Sequence, residues 1–210
     1  MVEYKTIKEE VQNRLTIKKS EFIGQLYPAT TQQQVQDILE KVRKQYWDAT
    51  HNCWAAVIGP NKEWMRYSDD GEPQGTAGVP MLETLQKSGL TNILAVSTRY
   101  FGGVLLGAGG LVRAYTKSIA TAIDEAQKVA MRPHLIFTCE FPFKLWGKAQ
   151  AYLMANGHVM RDIQYGTCVK CEIGVSEPLV EKFRTDMSEM SGGGLDLNEF
   201  QREYLEILLK

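Results

Sequence analysis

Residues 99–115 read RYFGGVLLGAGGLVRAY, a stretch with five glycines in seventeen positions. An apolar helical pattern starts at Leu111, so the sequence predicts a strand that runs into a glycine-rich loop and then into a long helix. Glycine loses more backbone entropy on folding than any other residue, so such a loop needs positive φ angles or the close approach of another group. The loop is therefore a candidate for binding as well as for tight packing.

A second loop, SDDGEPQGTAGVP at residues 68–80, is built in the same way. It follows the strand pattern EWMRYS and enters a helix with Pro80 in its first turn, where a missing N–H is harmless. Each loop therefore presents backbone N–H groups at a helix N-terminus, which favours phosphate or carboxylate. Arg99, Arg113 and Lys117 lie close in sequence. The alternative is that the glycines only permit tight strand-to-helix packing.

Neither loop matches a nucleotide-binding fingerprint. The Gly-Lys-Ser/Thr motif is missing from the sequence, and Val112 stands where a third glycine would follow Gly107 and Gly109. Nucleotide hydrolysis is therefore not predicted.

Asp69, Asp70 and Glu72 form an acidic group in the second loop. Paired carboxylates could hold magnesium or act as acid and base, and His51 could join them if a hairpin returns it to this loop. Turn chemistry offers another interpretation, because Asp-Asp-Gly suits a tight turn in which Asp side chains cap backbone N–H groups. A third interpretation, preferred to a metal site, pairs Asp69 or Asp70 with Arg99 and joins the two loops.

The four cysteines include a C-x-x-C motif, Cys168 and Cys171. The surrounding TCVKCEIGV alternates like a strand, which sends side chains three residues apart to opposite faces. Cys53 and Cys139 have no other cysteine near them in sequence. We therefore predict buried thiols, no zinc or other cofactor, and no disulfide.

Helix and strand patterns can be read across the first part of the chain. TTQQQVQDILEKVRKQYW, residues 30–47, places its apolar side chains on one helical stripe, with Thr30 or Thr31 as the cap. NCWAAVIG and EWMRYS form a predicted hairpin, and PMLETLQKSG forms a helix closed by Gly89. NILAVSTRY is the next strand, and the long helix that begins near Leu111 is expected to end near Val129.

The pattern changes at Pro133, so Met131–Pro133 is predicted to be a linker. Residues 134–210 read strand, helix, strand, strand, helix, strand, which is the ferredoxin-like order. We expect them to form an independent four-stranded antiparallel sheet with two helices on one face. The predicted fold class is therefore α+β with two domains, residues 1–131 and 134–210.

Composition limits the classes of partner. The net charge of −1 and pI near 6.3 give no overall attraction to nucleic acid or membrane. Residues 1–133 contain 16 Lys and Arg against 14 Asp and Glu, whereas residues 134–210 contain 8 against 11, which favours the first domain as the one that meets polyanions. Without a long apolar run or a signal peptide, the chain is expected to be soluble and cytoplasmic, with no membrane partner.

Three stretches, taken together, resemble the signature of the IMPACT family, in particular its bacterial YigZ/YvyE branch: HNCWAAVIG, DDGEPQGTAGVPMLETL and VSTRYFGGVLLGAGGLVRAYTKSI. The resemblance covers the whole chain. It implies an N-terminal domain like the second domain of ribosomal protein S5, a fold shared with domain IV of elongation factor G. It also implies a ferredoxin-like C-terminal domain.

The same resemblance implies a function in translation. Eukaryotic members compete for the activator of a stress kinase through an additional N-terminal domain that is not expected here, so that mechanism is not carried over. What the resemblance implies, by analogy of fold, is binding of RNA or the ribosome, a role in translation regulation and no DNA specificity. The residues that match the family's loops are Asp69, Asp70, Gly71, Glu72, Gly75, Thr76, Gly78, Arg99, Tyr100, Gly102, Gly103, Gly107, Gly110, Arg113 and Tyr115.

Ten of these residues are the predicted nucleic-acid site. The glycines would let an RNA backbone come close, the helix N-termini and arginines would meet its phosphates, and an aromatic ring would stack on a base. The set consists of Gly75, Thr76, Gly78, Arg99, Tyr100, Gly102, Gly103, Gly107, Gly110 and Arg113.

Two other functions stay open beside a non-enzymatic RNA-binding protein. A hydrolase would use Asp69, Asp70, Glu72 and His51, and it requires these side chains to converge on an open cleft. A protein-interaction module would use the ferredoxin-like sheet as its docking face, and an exposed apolar patch there would favour it.

Overall fold

The structure, a computed structural model, describes residues 1–209, without the side chain of Phe200. Lys210, the last residue of the predicted second domain, lies outside the described residues. The chain divides into two compact units, and the cut after the N-terminal one falls between Ala130 and Met131. The mixed helix and strand content of both units confirms the predicted α+β class with two domains. Within the described part of the chain, no helix has the length and apolar character needed to cross a membrane.

The N-terminal unit contains six strands and three helices. The strands are β1 (Tyr4–Ile7), β2 (Val11–Ile17), β3 (Ser20–Pro28), β4 (His51–Ile58), β5 (Trp64–Ser68) and β6 (Ile93–Tyr100). The helices are α1 (Gln32–Gln45), α2 (Gly78–Ser88) and α3 (Ala108–Glu125). Five of the strands form a sheet in the order β2-β3-β6-β4-β5, in which every neighbouring pair is antiparallel.

Both faces of this sheet are covered by helices. Along β6 the buried side chains alternate, so Ile93 and Ala95 join the core under α2 and α3, whereas Leu94 and Val96 join the core under α1. A strand buried on both faces reads as a continuous apolar run, as NILAV does here. The central strand is therefore a rigid support for the loop that follows it.

Local signals position the helices. The Thr31 hydroxyl accepts a hydrogen bond from the Gln34 N–H, which confirms one of the two predicted caps of α1. Gly89, in the left-handed region at φ 75°, closes α2 as predicted. Helix α3 ends at Glu125, before the expected end near Val129, because the chain becomes extended at the next residue and Val129 is buried within a strand.

The C-terminal unit contains β7 (Lys128–Phe141), α4 (Phe143–Ala155), β8 (Val159–Tyr165), β9 (Val169–Ser176), α5 (Val180–Ser191) and β10 (Leu197–Leu208). The first three residues of β7 belong to the N-terminal unit, and β1 pairs with β7, so the sheet has five strands and the predicted independent four-stranded sheet is wrong in its strand count. The strand order β8-β9-β7-β10 confirms the ferredoxin-like arrangement predicted for this region. Side chains of α4 and α5 share one core with the strands, so both helices cover the same face of the sheet.

The predicted linker Met131–Pro133 is wrong, because these residues lie inside the 14-residue strand β7. Proline is tolerated there because the register of β7 with β9 begins only at His134, opposite Ser176. The N–H that Pro133 lacks is therefore not needed for that pairing.

The cysteines of the C-x-x-C motif have different surroundings. Cys171 is buried in the core of the C-terminal unit, where burial raises the pKa of its thiol to about 11. The Sγ atom of Cys168 lies 3.4 Å from the Glu140 carboxylate on the solvent side. All four cysteines of the chain are free.

Candidate functional site

The two glycine-rich loops meet at one edge of the N-terminal sheet. Strands β5 and β6 both run antiparallel to β4, so they leave the sheet at the same edge. The acidic loop (residues 69–77) follows β5, and the glycine loop (residues 101–107) follows β6. Strand β4 begins at this edge with His51, which pairs with Arg99 in the register. The topology therefore brings together residues that are distant in sequence.

Asp69 organises the acidic loop. Its carboxylate accepts hydrogen bonds from the N–H groups of Gly75 at 2.9 Å, Ala77 at 3.0 Å and Gly78 at 2.8 Å. Helix α2 has no side-chain cap at its own N-cap residue, Ala77, so Asp69 satisfies these donors from a distance. For Asp69 the turn-chemistry interpretation is confirmed.

Asp70 also forms hydrogen bonds that involve the backbone. Its carboxylate accepts a hydrogen bond from the Asn52 N–H at 2.6 Å, and its carbonyl oxygen lies 2.8 Å from Nδ1 of His51. A carbonyl oxygen only accepts, so Nδ1 of His51 carries the proton. In the neutral ring, Nε2 is then left as an acceptor.

The predicted pairing of Arg99 with Asp69 or Asp70 is wrong, because Arg99 pairs with Glu72. Arg99 Nη1 donates to Glu72 Oε1 at 2.6 Å, and the two side chains are 6% and 3% exposed. The turn holds the carboxylates of Asp69 and Asp70 against backbone N–H groups, and the longer Glu72 side chain is left to pair with the Arg99 guanidinium. The ion pair nevertheless joins the acidic loop to the end of β6.

A buried hydrogen-bond network extends from this ion pair. The Tyr115 hydroxyl donates to the same Oε1 of Glu72 at 2.7 Å, and Arg99 Nη2 lies 3.4 Å from the Ser20 hydroxyl. The Arg99 guanidinium also stacks 5.5 Å from the centre of the Phe101 ring. Arg99 Nε is buried and has no hydrogen-bond partner in the described structure.

Cys53 and Tyr115 complete the network as neutral groups. Burial raises the pKa of the Cys53 thiol to about 12 and raises the pKa of Tyr115 above its ordinary range. Cys53 Sγ donates to the carbonyl oxygen of Asp69 at 3.0 Å. Neither group is ionised near neutral pH, so neither is an activated nucleophile.

A cavity of about 410 Å³ opens between the two loops. Its polar end is formed by His51, Glu72 and Arg99, and the distance from His51 Nε2 to Glu72 Oε2 is 3.9 Å. Most of the remaining wall is apolar and consists of Pro73, Phe101, Leu105, Leu106 and Leu111. The cavity therefore combines a small buried polar end with apolar sides, as small-ligand sites do.

The four residues of the hydrolase hypothesis do not converge. His51 and Glu72 line the cavity, but Asp69 and Asp70 direct their carboxylates to backbone N–H groups. Across residues 1–209, no three His, Cys, Asp or Glu side chains are grouped so as to hold a metal ion.

Several residues of the predicted nucleic-acid site have structural roles. Arg99 is only 5% exposed and is neutralised by Glu72, so it is not a surface ligand for phosphate. The Tyr100 hydroxyl donates to the Asp48 carboxylate at 2.9 Å. The Thr76 hydroxyl donates to the Pro73 carbonyl at 2.6 Å, within the acidic loop.

The glycines of the two loops fall into two groups. A Cβ at Gly102 would lie 1.9 Å from the carbonyl oxygen of Lys19, and one at Gly78 would lie 2.7 Å from the Tyr67 ring, so these positions need close packing. Others need positive φ angles that only glycine adopts readily: Gly75, Gly103 and Gly107. A Cβ at Gly110 would lie 3.0 Å from the Leu106 side chain.

A cationic groove, which the sequence analysis did not identify, lies beside the cavity. It has a volume of about 300 Å³, and its charged side chains are Lys18, Arg113 and Lys117. Lys18 reaches it from the turn between β2 and β3, where it adopts a φ of 46°. Leu106 lines both the groove and the cavity. Arg113 and Lys117 were already indicated by the sequence, and the Lys18–Lys19 pair at a hairpin turn was the signal for the third cation.

Comparisons with known proteins cover nearly the whole chain. The family model for the Impact N-terminal domain matches residues 18–123, and that for a domain of unknown function, DUF1949, matches residues 139–193. The IMPACT family member YvyE of Bacillus subtilis (strain 168) is 41% identical over 203 residues, which covers 97% of this chain and 94% of YvyE. YigZ of Escherichia coli (strain K12) is 35% identical over 185 residues, which covers 86% of this chain and 90% of YigZ. A crystal structure described as that of a hypothetical protein is 32% identical, covers 96% of this chain and 98% of its own, and has a TM-score of 0.63.

Proposed function

Since this chain belongs to the IMPACT family, we propose that it is a non-enzymatic protein that binds RNA, free or within the ribosome, and regulates translation. The observation that carries the proposal is the cationic groove of Lys18, Arg113 and Lys117. The N-terminal unit has this local charge although the whole chain is nearly neutral.

The groove suits phosphate because its positive charge is not compensated. No carboxylate lines it, and among the described residues none of its three cations forms an ion pair. It also lies against the first three turns of α3, from Gly110 to Lys117, and the first turn of this helix has no acidic residue. The positive N-terminal end of the helix dipole and the three cations therefore both attract a bound anion.

The glycine loop supplies apolar surface beside the groove. Three of its side chains are exposed: Phe101 by 46%, Val104 by 37% and Leu105 by 82%. Unstacked RNA bases bind to such surface through their flat faces, which requires no particular sequence. In this proposal Arg99 is a positioning residue, because it holds the loop through Glu72 and contacts no phosphate.

Binding to single-stranded RNA of about 16 nucleotides tests the proposal, measured by fluorescence anisotropy between about 50 and 200 mM KCl. Three phosphate contacts predict a slope of log K against log salt of about −2, since each contact on a single strand contributes about −0.7. Arg113→Ala and Lys117→Ala should each flatten that slope by about 0.7. Both side chains are exposed, so the variants should fold like the parent.

Lys148→Ala is the matched control, because Lys148 is an exposed lysine on α4 of the other unit. Its slope should equal that of the parent. Absence of binding at the lowest salt concentration, or groove variants that bind like the parent, would refute the proposal.

A further inference from the structure

We infer that the cavity between the two loops accepts one unstacked base of the bound RNA and prefers bases that carry an exocyclic amino group. This inference rests on the proposed RNA binding and adds a specificity to it. Its elements are the shape of the cavity, the unused hydrogen-bonding atoms at its polar end, and its position beside the cationic groove.

The shape of the cavity fits a flat ring with one polar edge. Its apolar walls, which include Phe101, Leu106 and Leu111, would contact the faces of the ring, while the polar end is buried. A volume of about 410 Å³ is ample for a single base. Proteins that recognise single-stranded RNA commonly hold a splayed base between such walls and bond its edge.

The polar end offers two acceptors and no donor between them. Glu72 Oε1 already accepts from Arg99 and Tyr115, whereas the described partner of Oε2 is His51 Nε2 at 3.9 Å, too far for a hydrogen bond. With Nδ1 of His51 donating to Asp70, Nε2 is also an acceptor when the ring is neutral. An amino group has two N–H donors and can satisfy both atoms at once.

The two acceptors at the polar end favour a base that carries an amino group. Adenine and cytosine carry an exocyclic amino group on their hydrogen-bonding edge, so they match a site with two acceptors. Uracil has no exocyclic amino group. Its N3–H can donate to only one of the two acceptors, and the carbonyl oxygens beside it would face the other acceptor without a donor.

Phe101 provides a stacking surface at the mouth of the cavity. The Arg99 guanidinium lies 5.5 Å from the ring centre, and the side chain is 46% exposed. A base stacked on the exposed ring surface would add a sequence-independent contribution to affinity. Leu106, which lines both the cavity and the groove, places the base site beside the phosphate site, so neighbouring nucleotides of one strand can occupy both.

The test compares oligoadenylate, oligocytidylate and oligouridylate of about eight nucleotides at one low salt concentration, by fluorescence anisotropy. We expect the adenylate and cytidylate to bind at least about tenfold more tightly than the uridylate, because a buried acceptor left without a donor is costly. His51→Phe keeps a ring of similar shape and removes the Nε2 acceptor together with the Nδ1–H bond to the Asp70 carbonyl, so the ratio of adenylate or cytidylate affinity to uridylate affinity should fall towards one. The salt dependence should stay unchanged, because the groove is intact.

Phe101→Ala is the second variant, and it should fold like the parent because the Phe101 side chain is 46% exposed. It should weaken adenylate and cytidylate binding by about tenfold through lost stacking, again with an unchanged salt slope. Phe143→Ala is the matched control, since Phe143 is 55% exposed and lies on α4.

The outcomes separate this inference from the proposed function. Equal, salt-dependent binding of all three oligonucleotides, or an unchanged base preference in His51→Phe, overturns the base site and leaves RNA binding through the groove in place. Phe101→Ala binding like the parent also overturns it. Absence of binding for every oligonucleotide overturns both.

Discussion

Removing the Glu72 carboxylate would leave the buried charge of Arg99 without a partner, and the structure indicates how large the effect should be. Both side chains are less than a tenth exposed, and breaking such a pair from one side costs about 3–5 kcal/mol. The Tyr115 hydroxyl loses its acceptor in the same variant, which adds about 1 kcal/mol or more. Glu72→Ala should therefore lower the free energy of unfolding by at least about 4 kcal/mol, a large part of the 5–15 kcal/mol that a domain has.

The double variant separates a paired charge from simple loss of packing. Replacing both residues by methionine removes the two charges together, so no ion is left buried alone. Glu72→Met with Arg99→Met should cost less than the sum of the two single changes by at least about 2 kcal/mol, measured as a double-mutant cycle.

Urea unfolding followed by tryptophan fluorescence is a suitable assay, because Trp47, Trp54 and Trp64 belong to the N-terminal unit. The fourth tryptophan, Trp146, lies in the C-terminal unit, and Trp146→Phe in every protein of the series removes its signal. Single variants that cost less than about 1 kcal/mol, or a cycle that is additive within about 0.5 kcal/mol, would refute the reasoning.

Two further predictions concern backbone packing and pH. Gly102→Ala should destabilise the N-terminal unit by well over 1 kcal/mol, because the new Cβ would lie 1.9 Å from the carbonyl oxygen of Lys19. Gly109→Ala, at the start of α3, should be neutral or stabilising by up to about 1 kcal/mol in the same urea assay, because its Cβ would make only an ordinary contact, 3.8 Å from Arg113 Nη1. Burial, followed by the charge of Lys182, lowers the pKa of His158 below its ordinary value. The unfolded chain therefore takes up a proton below about pH 6.5 that the folded protein resists, so the C-terminal unit should lose thermal stability as the pH falls through that range, and His158→Phe should flatten this dependence. A C-terminal unit whose Tm does not change between neutral pH and about pH 5 would contradict this expectation.

The fold was largely predictable because its elements carry strong periodic signals. Residues 134–208 alternate between period-two and helical patterns with glycine at the helix ends, and strand order follows from the few topologies such a series allows. The interruption expected at Pro133 was wrong because the position of a strand's partner, which sequence does not reveal, decides whether proline is tolerated.

The sequence indicated the two loops of the candidate site, but it did not indicate which carboxylate pairs with Arg99. The two loops could be recognised from their glycines and from the helices that follow them. Which carboxylate meets Arg99 depends on how the turn uses its own N–H groups, and the short spacing between Asp69 and Glu72 carries no such information. Lys18 lies about 95 residues before Arg113 in the chain, so only the folded sheet brings the two into one groove.

The order of the strands along the chain determines which unit can fold first during translation. The five strands of the N-terminal sheet and its three helices all precede Ala126, whereas β7, the first strand of the C-terminal unit, pairs with β10, the last. At least 85 residues (210 − 125) remain to be translated when α3, the last of these elements, is complete, and their synthesis takes about 4–17 s at common elongation rates. During that interval the groove and the cavity can already form on the nascent chain, beside the ribosome that synthesises it. The sheet of the C-terminal unit still lacks its final strand at that stage.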